Sequence, residues 1–333
     1  MWDSSLLSFV QHNYTEKNSK SLIVTRIFKL KPFDYAYTKL HFIQVLRLPY
    51  PQGEQRTGNA GLRALQDENQ FFFALTYYIY SKYLPMHFKL EICVDNVDSA
   101  IEAQVAGADR IELCDNLIEG GTTPGSGTIV SARNNLSIGL NVIIRPRAGD
   151  FLYTDLEYDI MRREIDMCGE IGVDGIVLGI LRSDGAIDLD RTAKLIEIAH
   201  PMSATFHRAF DMCSDPIKGL ENVIASGADR LLTSGQKNRA LDGADLISQL
   251  VSIAASRIII MPGSGINVAN IVNIATKTGA MEFHLTGRKV IKSNMIFRKE
   301  DVSMGGDTEI SEFEKKVVDP EVIKTIIRTL RDI

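Results

Sequence analysis

Several features that define other classes of protein are scarce or absent in this sequence. The 333 residues include only four cysteines, without a C-x-x-C pair, which excludes a disulfide framework and a zinc finger. The formal net charge of −5 excludes the basic surface that non-specific nucleic-acid binding requires. The most apolar run, residues 71–80, is far shorter than the about 20 residues that span a bilayer. We therefore expect a cytoplasmic or nuclear protein with reduced thiols, no nucleic-acid partner and no membrane span.

The composition changes near Met86. Residues 1–85 hold 16 of the 25 aromatic residues but only three of the 25 glycines and no cysteine. With 10 basic and 6 acidic residues their charge is +4, which leaves −9 for the rest of the chain. We predict an irregular, poorly ordered N-terminal extension over residues 1–85 and a separate domain over residues 86–333. Three origins of the extension stay open: a small extra domain, a tethering segment, or non-native sequence from an upstream start.

After Met86, short apolar runs alternate with helical patterns. The predicted strands cover residues 90–94, 110–114, 141–147, 175–181, 204–209, 230–233, 257–261 and 282–286. Thr154 and Glu157 form a capping box at the start of one helix, and Asp319-Pro320 begins the last helix. Eight strand–helix units in about 250 residues predict an α/β fold, a TIM-like (βα)8 barrel, rather than an open doubly wound sheet.

The alternation of side chains along each strand predicts which residues face the inside of the barrel. The inward positions are occupied by Glu91, Cys93, Asp95, Arg110, Glu112, Cys114, Arg145, Arg147, His207 and His284. Barrel interiors are normally filled by branched apolar side chains, and buried charges are costly unless they are paired. This polar interior therefore predicts a functional site, with Glu91, Glu112, His207 and His284 as candidate catalytic acid–base residues.

The first two strands repeat each other in the motifs LEICVDN and IELCDN, which place Cys93 and Cys114 at equivalent positions. Adjacent parallel strands in matching register would bring the two thiols together near the C-terminal end of the barrel. Two thiolates suit Cu(I), whereas zinc would require four ligands. The structural alternative stays open, because a buried free cysteine usually behaves as a small hydrophobic residue. Cys168 fits a buried helix stripe, and Cys213 is a further candidate for a third sulfur ligand.

The loops after the last two strands predict an anion site. Barrels often hold a phosphate there with backbone N–H groups and a helix N-terminus, and arginine binds carboxylate or phosphate through paired hydrogen bonds. The candidate anion-binding residues are Arg145, Arg147, Gly263, Gly265 and Arg288. The alternative is structural, with Asp150 and Asp211 neutralising Arg147 and Arg208 as ion pairs.

The ordered motifs LEICVDN, GADRIELCDN, EGGTTP, IIRPRAGDF, TFHRAFDM, LTSG, MPGSG and EFHLTGRK resemble those of the CutC copper homeostasis proteins, from about Met86 to the C-terminus. The resemblance implies a TIM-like barrel, a homo-oligomer and association with Cu(I), with Cys93 and Cys114 matching the usual ligands. Two motifs depart from the common form. Ser264 replaces a glycine, and Leu285-Thr286-Gly287 replaces a Ser-Ala context, so both changes fall on the predicted anion site.

Two functions follow from these observations. The first is a cytosolic Cu(I)-binding protein of copper homeostasis, with Cys93 and Cys114 as ligands. The second is a TIM-barrel enzyme that acts on a small anionic substrate, a phosphate or a carboxylate. The family resemblance favours the first function. The carboxylates and histidines favour the second, because a dedicated metal carrier needs no such array.

Overall fold

The computed structural model describes residues 21–29, 41–49, 88–299, 301–302 and 311–333. The chain divides into two compact units, Met1–Tyr83 and Leu84–Ile333. In the first unit, strands β1 (Ser21–Lys29) and β2 (His41–Pro49) form an antiparallel pair. The remainder of the predicted extension over residues 1–85 lies outside the described residues.

Eight parallel strands form a barrel in the second unit, which confirms the predicted fold class. They are β3 (Lys89–Val94), β4 (Arg110–Leu113), β5 (Gly139–Ile143), β6 (Gly175–Leu178), β7 (Ser203–Phe206), β8 (Arg230–Thr233), β9 (Ile259–Pro262) and β10 (Glu282–Leu285). Each strand pairs with the next along the chain, and β10 returns to pair with β3. A bridge between Gly263 and His284 joins the last two strands and completes the ring.

A helix follows each barrel strand. The helices are α1 (Val97–Ala106), α2 (Ser126–Asn135), α3 (Asp155–Ile171), α4 (Leu189–Ala199), α5 (Pro216–Ala225), α6 (Ala244–Ala254), α7 (Ile271–Thr278) and α8 (Pro320–Arg331). The predicted capping box of Thr154 and Glu157 is present at the start of α3, and Asp319 caps α8. Within the described ranges, no helix combines the length and the apolar character that crossing a membrane requires.

Between β10 and α8 the chain forms an antiparallel arm. Its strands are β11 (Arg288–Lys292) and β12 (Glu314–Val318). Five of its apolar side chains are exposed: Val290, Ile291, Met295, Ile296 and Phe297.

The predicted alternation of faces holds along the barrel strands. Leu90 and Ile92 belong to the large apolar core that joins the strands to the surrounding helices. Cys93 and Cys114 instead form a separate small cluster with Ile143. The inner and outer faces of the barrel therefore carry different chemistry, with polar and sulfur-containing side chains inside.

The prediction that Arg147 faces inward is wrong. Strand β5 ends at Ile143, so the alternation does not extend along the whole of the predicted run over residues 141–147. Arg147 turns toward the N-terminus of α3, where its Nε lies 2.5 Å from Glu157 and its Nη2 lies 3.0 Å from Asp150. The alternative of an Arg147–Asp150 ion pair is the one observed.

Candidate functional site

A network of buried charges lies at the N-terminal ends of the barrel strands. Arg110 donates from Nε to Glu91 at 2.5 Å and from Nη2 to Glu282 at 2.9 Å. Arg230 donates to the same oxygen of Glu282 at 2.9 Å. Burial raises the pKa of Glu282, but the two guanidinium groups outweigh it and leave that pKa below its usual value. Sequence analysis missed Glu282 and Arg230, although the alternation that turns His284 inward also turns Glu282 inward.

His284 joins this network to the side chains above it. Its Nδ1 lies 2.8 Å from Glu91 Oε1, and its Nε2 lies 3.5 Å from Glu112 Oε2. Burial by itself would lower the pKa of His284, but Glu112, Cys93 and Glu91 raise it well above its usual value. Burial likewise opposes ionisation of Glu91, and Arg110 together with His284 overcomes this and lowers its pKa to about 2. His284 is therefore a buried cation held between two carboxyl groups.

Cys93 and Cys114 bring two sulfur atoms together inside the barrel. Their Sγ atoms lie 3.5 Å apart, and both side chains are buried. The register differs from the predicted one, because Cys93 lies opposite Glu112 and Cys114 lies two residues further on. Neighbouring strands of a closed barrel are staggered, so equivalent motifs need not lie side by side. The thiols meet because both project inward, not because their positions match.

The two thiols differ in acidity. The hydrogen bond with Cys114 lowers the pKa of Cys93 to about 5, with a further contribution from His284, although burial opposes it. The same hydrogen bond and burial raise the pKa of Cys114. Burial and the charge of Cys93 raise the pKa of Glu112 well above its usual value. At neutral pH, Cys93 is therefore the thiolate and Cys114 carries its proton.

Three side chains form a group that can hold a metal ion. Ligand atoms of Cys93, Glu112 and His284 all lie within 4.8 Å of one another, and Cys114 adds a second sulfur. With metal–sulfur bonds of about 2.3 Å, the observed sulfur separation corresponds to an S–metal–S angle of roughly 100°, far from linear. The thiol pair therefore fits an ion with three or four ligands, with His284 or Glu112 as the next ligand. Thiolates with an imidazole are donors that Cu(I) and zinc accept.

A cavity of about 520 Å³ opens at the C-terminal ends of the barrel strands, the end where TIM-barrel enzymes bind their substrates. Most of the predicted site residues line it. The lining includes Cys93, Glu112, Arg145, His207, Arg208, Gly265, His284 and Arg288. The structure thus brings the thiol–imidazole–carboxyl group and the cationic side chains to one space.

Four predicted site residues do not line this cavity. Glu91 and Cys114 are buried beneath it, next to residues that do. Gly263 donates its N–H to the carbonyl oxygen of Thr233 at 2.9 Å, so this group is already used in the barrel ladder. Arg147 lies outside, in its ion pairs with acidic side chains.

The loop after β9 and the start of β11 also line the cavity. Gly265 adopts φ +70° and Ser264 adopts φ +81°, a conformation that favours glycine. Ser264 occupies the position at which the sequence departs from the family motif, and its hydroxyl donates to the carbonyl of Asn238 at 2.8 Å. Arg288 lies 3.6 Å from Asp95. These residues give the cavity mouth a polar edge.

His207 directly follows β7, and its buried side chain makes one hydrogen bond within the described structure. Its Nδ1 accepts the N–H of Ala209 at 3.2 Å, while Nε2 has no partner among the described residues. Burial, reinforced by the charge of Arg145, lowers the pKa of His207 to about 3. His207 is therefore neutral, and because Nδ1 accepts, the proton is on Nε2.

Arg145 is a buried cation tied to backbone oxygens. It donates to the carbonyls of Glu119 at 2.9 Å, Gly121 at 2.7 Å and Gly149 at 2.9 Å. Within the described part of the chain, no carboxylate lies in ion-pair distance of its guanidinium. Arg208, by contrast, is neutralised by Asp211 at 2.8 Å, as the structural alternative predicts.

The other two cysteines lie away from the thiol pair. Cys168 is fully buried on the inner stripe of α3, as predicted. Cys213 lines a separate cavity of about 190 Å³ beside Asp215 and Gly219, not the cavity that Cys93 lines. This location corrects the expectation that Cys213 could supply a third sulfur ligand.

These observations define the class of protein. It is a (βα)8 barrel with two thiols, an imidazole and a carboxyl group clustered inside, below a substrate-sized cavity. The model of the CutC family matches residues 88–289. This chain belongs to the CutC family.

Relatives from distant organisms share the barrel. The chain is 48% identical over 239 residues to the family protein CutC of Parabacteroides distasonis, covering 72% of this chain and 98% of the relative. It is 44% identical over 239 residues to the copper homeostasis protein cutC homolog of Homo sapiens, covering 72% of this chain and 88% of the relative. A crystal structure of CutC from Streptococcus agalactiae shares 37% identity with a TM-score of 0.58, covering 60% of this chain and 98% of that one. The family resemblance is confirmed.

Proposed function

We propose that this protein binds Cu(I) through Cys93 and Cys114 and serves in copper homeostasis in the cytoplasm. The observation that carries the proposal is the 3.5 Å separation of two buried thiols beside the His284 imidazole. Thiolates are soft ligands that select Cu(I), and a three-ligand site suits the bent geometry of this pair. The human and mouse relatives are named copper homeostasis proteins, which agrees with this role.

A competition assay with a soft Cu(I) chelator tests this proposal. The double variant Cys93→Ser/Cys114→Ser is expected to lose Cu(I) binding, because a hydroxyl does not replace a thiolate ligand. Cys168→Ser is the matched control, since Cys168 is equally buried but lies on α3. Affinity should rise with pH, because the metal must displace the proton of Cys114, which is released to the solvent. An unchanged Cu(I) affinity in the double variant would show that the metal does not bind at this site.

A second function is supported by the cavity. We propose that the barrel also acts as an enzyme on a small anionic substrate, because its cavity combines acid–base groups with cationic side chains. Glu112 and His284 stand on one side, and Arg145, Arg208 and Arg288 line other parts. A cavity of about 520 Å³ lies within the range of ligand sites, which is roughly 300–1,000 Å³.

Mass spectrometry of small molecules that co-purify with the protein tests this second function. Glu112→Gln is expected to abolish turnover or retention of such a molecule, if Glu112 is an acid–base residue. Removal of one buried ionisable group leaves its partners unpaired. The free energy of unfolding of the variant is therefore measured as well. A folded Glu112→Gln variant that turns over and retains ligand normally would contradict the enzyme function.

We further propose that the protein is a homo-oligomer, as the family resemblance implies. The arm formed by β11 and β12 supports this, because five exposed apolar side chains fall within residues 290–297. Soluble monomers rarely leave large apolar patches in water. A second copy of the chain would cover them.

A further inference from the structure

Arg145 and His207 form one wall of the cavity. Among the side chains that the structure describes, Arg145 lacks a counter-charge there, and His207 lacks a hydrogen-bond acceptor. Arg145 is only 5% exposed and has no carboxylate partner among the described residues. A buried cation without a counter-charge is costly, and backbone carbonyls supply no net charge to balance it. A negative charge supplied from outside the described residues would therefore stabilise Arg145.

His207 supplies a hydrogen-bond donor on the same wall. It is 5% exposed, and the bond from Ala209 N–H to Nδ1 fixes the proton on Nε2, which has no partner. A buried donor that loses its partner costs free energy, so an acceptor at this position stabilises the folded protein. A neutral imidazole donor resembles the groups that bind carbonyl or carboxylate oxygens in enzymes.

The Phe151 ring packs against both Arg145 and His207. Its ring centroid lies 5.1 Å from the Arg145 guanidinium carbon and 5.1 Å from the His207 ring centroid. Phe151 is half-buried and itself lines the cavity, on the loop between β5 and α3. Nε2 of His207 is closed off from water, and the Phe151 ring packs against the imidazole.

We propose that the cavity binds a small organic carboxylate, whose charge balances Arg145 and whose oxygen accepts the hydrogen bond of His207 Nε2–H. The carboxylate takes the place of the Phe151 ring over these two residues. The rest of the ligand then extends into the cavity toward Glu112 and His284, which also line it.

Phosphate and carboxylate make different demands on the wall formed by Arg145 and His207. A phosphate group gathers several backbone N–H donors at a glycine-rich loop. The wall formed by Arg145 and His207 instead offers one guanidinium group and one imidazole N–H. One cation and one neutral donor match a carboxylate, with its single charge, better than a phosphate dianion.

This inference rests on the second proposed function, and it is independent of copper. Arg145 and His207 contribute no ligand atom to the thiol group, so the two sites can be tested separately. A protein that loses Cu(I) binding through Cys93→Ser/Cys114→Ser should still bind the carboxylate.

Calorimetric titration of the full chain with pyruvate and succinate tests the proposal, with methyl pyruvate as the uncharged counterpart and inorganic phosphate as the other anion. His207→Asn keeps an acceptor for the Ala209 N–H but removes the Nε2 donor. We expect it to raise the Kd of the carboxylate about tenfold or more, because a hydrogen bond to a charged group is lost. His207→Gln should recover part of this loss. His200→Asn, at an exposed histidine after α4, should leave the Kd unchanged.

Two further measurements separate binding from a structural effect. In protein labelled with ¹⁵N-histidine, carboxylate addition should shift the Nε2 resonance of His207 without moving its proton to Nδ1. Phe151→Ala should lower the Kd, because no ring has to be displaced, whereas a purely structural role of Phe151 would weaken binding.

The proposal is overturned by any of three results. The first is the absence of carboxylate binding at roughly 10 mM ligand. This result would mean a binding free energy weaker than about 3 kcal/mol. The second is an equal Kd for pyruvate and methyl pyruvate, or for wild type and His207→Asn. The third is preferential phosphate binding that depends on Arg288 and not on His207. If the carboxylate binds as expected but no turnover is found, the site stands and the enzymatic function fails.

Discussion

At the scale of single residues, the charges at the N-terminal ends of the barrel strands are tolerated because the ionised groups there have partners of opposite sign. Glu91 accepts from Arg110 and faces His284, and Glu282 joins Arg110 to Arg230. Such a network adds little net stability over an apolar core, but removal of one member leaves the others unpaired. The charges therefore position His284 and, through it, the thiol group.

Glu91→Gln should show this dependence directly. Because Arg110 and His284 hold the pKa of Glu91 at about 2, against 4.5 in an unfolded chain, its charge stabilises the fold above pH 4.5. That contribution, about 3 kcal/mol, is lost as the pH falls from 4.5 toward 2. We expect Glu91→Gln to lower the free energy of unfolding by roughly 3–5 kcal/mol at pH 7. The difference from wild type should shrink at pH 3, as measured by urea denaturation.

Glu321→Gln is the control for this experiment. Glu321 also forms an ion pair, with Lys324 at 2.8 Å, but on the exposed surface of α8. Its loss should leave the free energy of unfolding nearly unchanged, because water and salt screen an exposed ion pair. A difference in the free energy of unfolding between wild type and Glu91→Gln that stays constant between pH 7 and pH 3 would contradict the assigned ionisation of Glu91.

At the scale of secondary-structure elements, the close approach of β6 and β7 positions His207. Gly179 directly follows β6, and a Cβ atom at this residue would lie 2.5 Å from His207 Nδ1 and 2.9 Å from Ala209 Cβ. The absence of a side chain lets the imidazole rest against the β6 backbone and accept the Ala209 N–H. The neighbouring element thus fixes the ring and, with it, the tautomer.

Gly179→Ala should therefore displace the His207 ring. We expect a loss of about 1–3 kcal/mol in the free energy of unfolding, which is typical of overpacking in a well-packed interior. The hydrogen bond to Nδ1 should break, so the ¹⁵N spectrum of His207 should no longer show a single tautomer. Chemical denaturation and histidine NMR measure the two effects.

Gly127 offers a matched glycine in an open environment. It is exposed in α2, and a Cβ atom there would meet nothing within 4 Å. Gly127→Ala should raise the free energy of unfolding by about 0.5–1 kcal/mol, because alanine favours helix. If both alanine variants had the same effect, the contact between Gly179 and His207 would not be the cause.

At the scale of the whole molecule, the barrel is complete without the first unit. Its ring of eight strands closes within residues 89–285, so the sheet has no free edge for a further strand. We propose that a chain beginning at Met86 folds by itself and melts within a few degrees of the full-length chain. Calorimetry of both chains measures this. Aggregation or an unfolded spectrum of the shorter chain would show that residues 1–85 pack on the barrel.

The arm of β11 and β12 leads to a prediction about assembly. Ile296 is 100% exposed and Phe297 is 73% exposed. Ile296→Ser/Phe297→Ser should shift the mass measured by light scattering toward the monomer, because the apolar contact with a second copy is removed. Val105→Ser, at a 70% exposed position on α1, should leave the mass unchanged. An assembly that survives the double variant would place the interface elsewhere.

The sequence by itself determined the fold and the inner face of the barrel. Eight apolar runs with period-two alternation were enough to place Glu91, Cys93, Glu112 and His284 inside, because a strand has only two faces. The ordered motifs were enough to identify the family. The polar partners Glu282 and Arg230 were only partly accessible to this reasoning, since a charged residue at the start of a strand is usually exposed.

Tertiary structure alone decided how these residues meet. The stagger of the barrel set Cys93 opposite Glu112, and the end of β5 at Ile143 turned Arg147 away from the cavity that Arg145 lines. Register and strand ends depend on closure of the whole ring and on the loops, and no local pattern encodes them. The protonation of His207 likewise follows from burial and from a hydrogen bond that exist only once β6 and β7 are packed together.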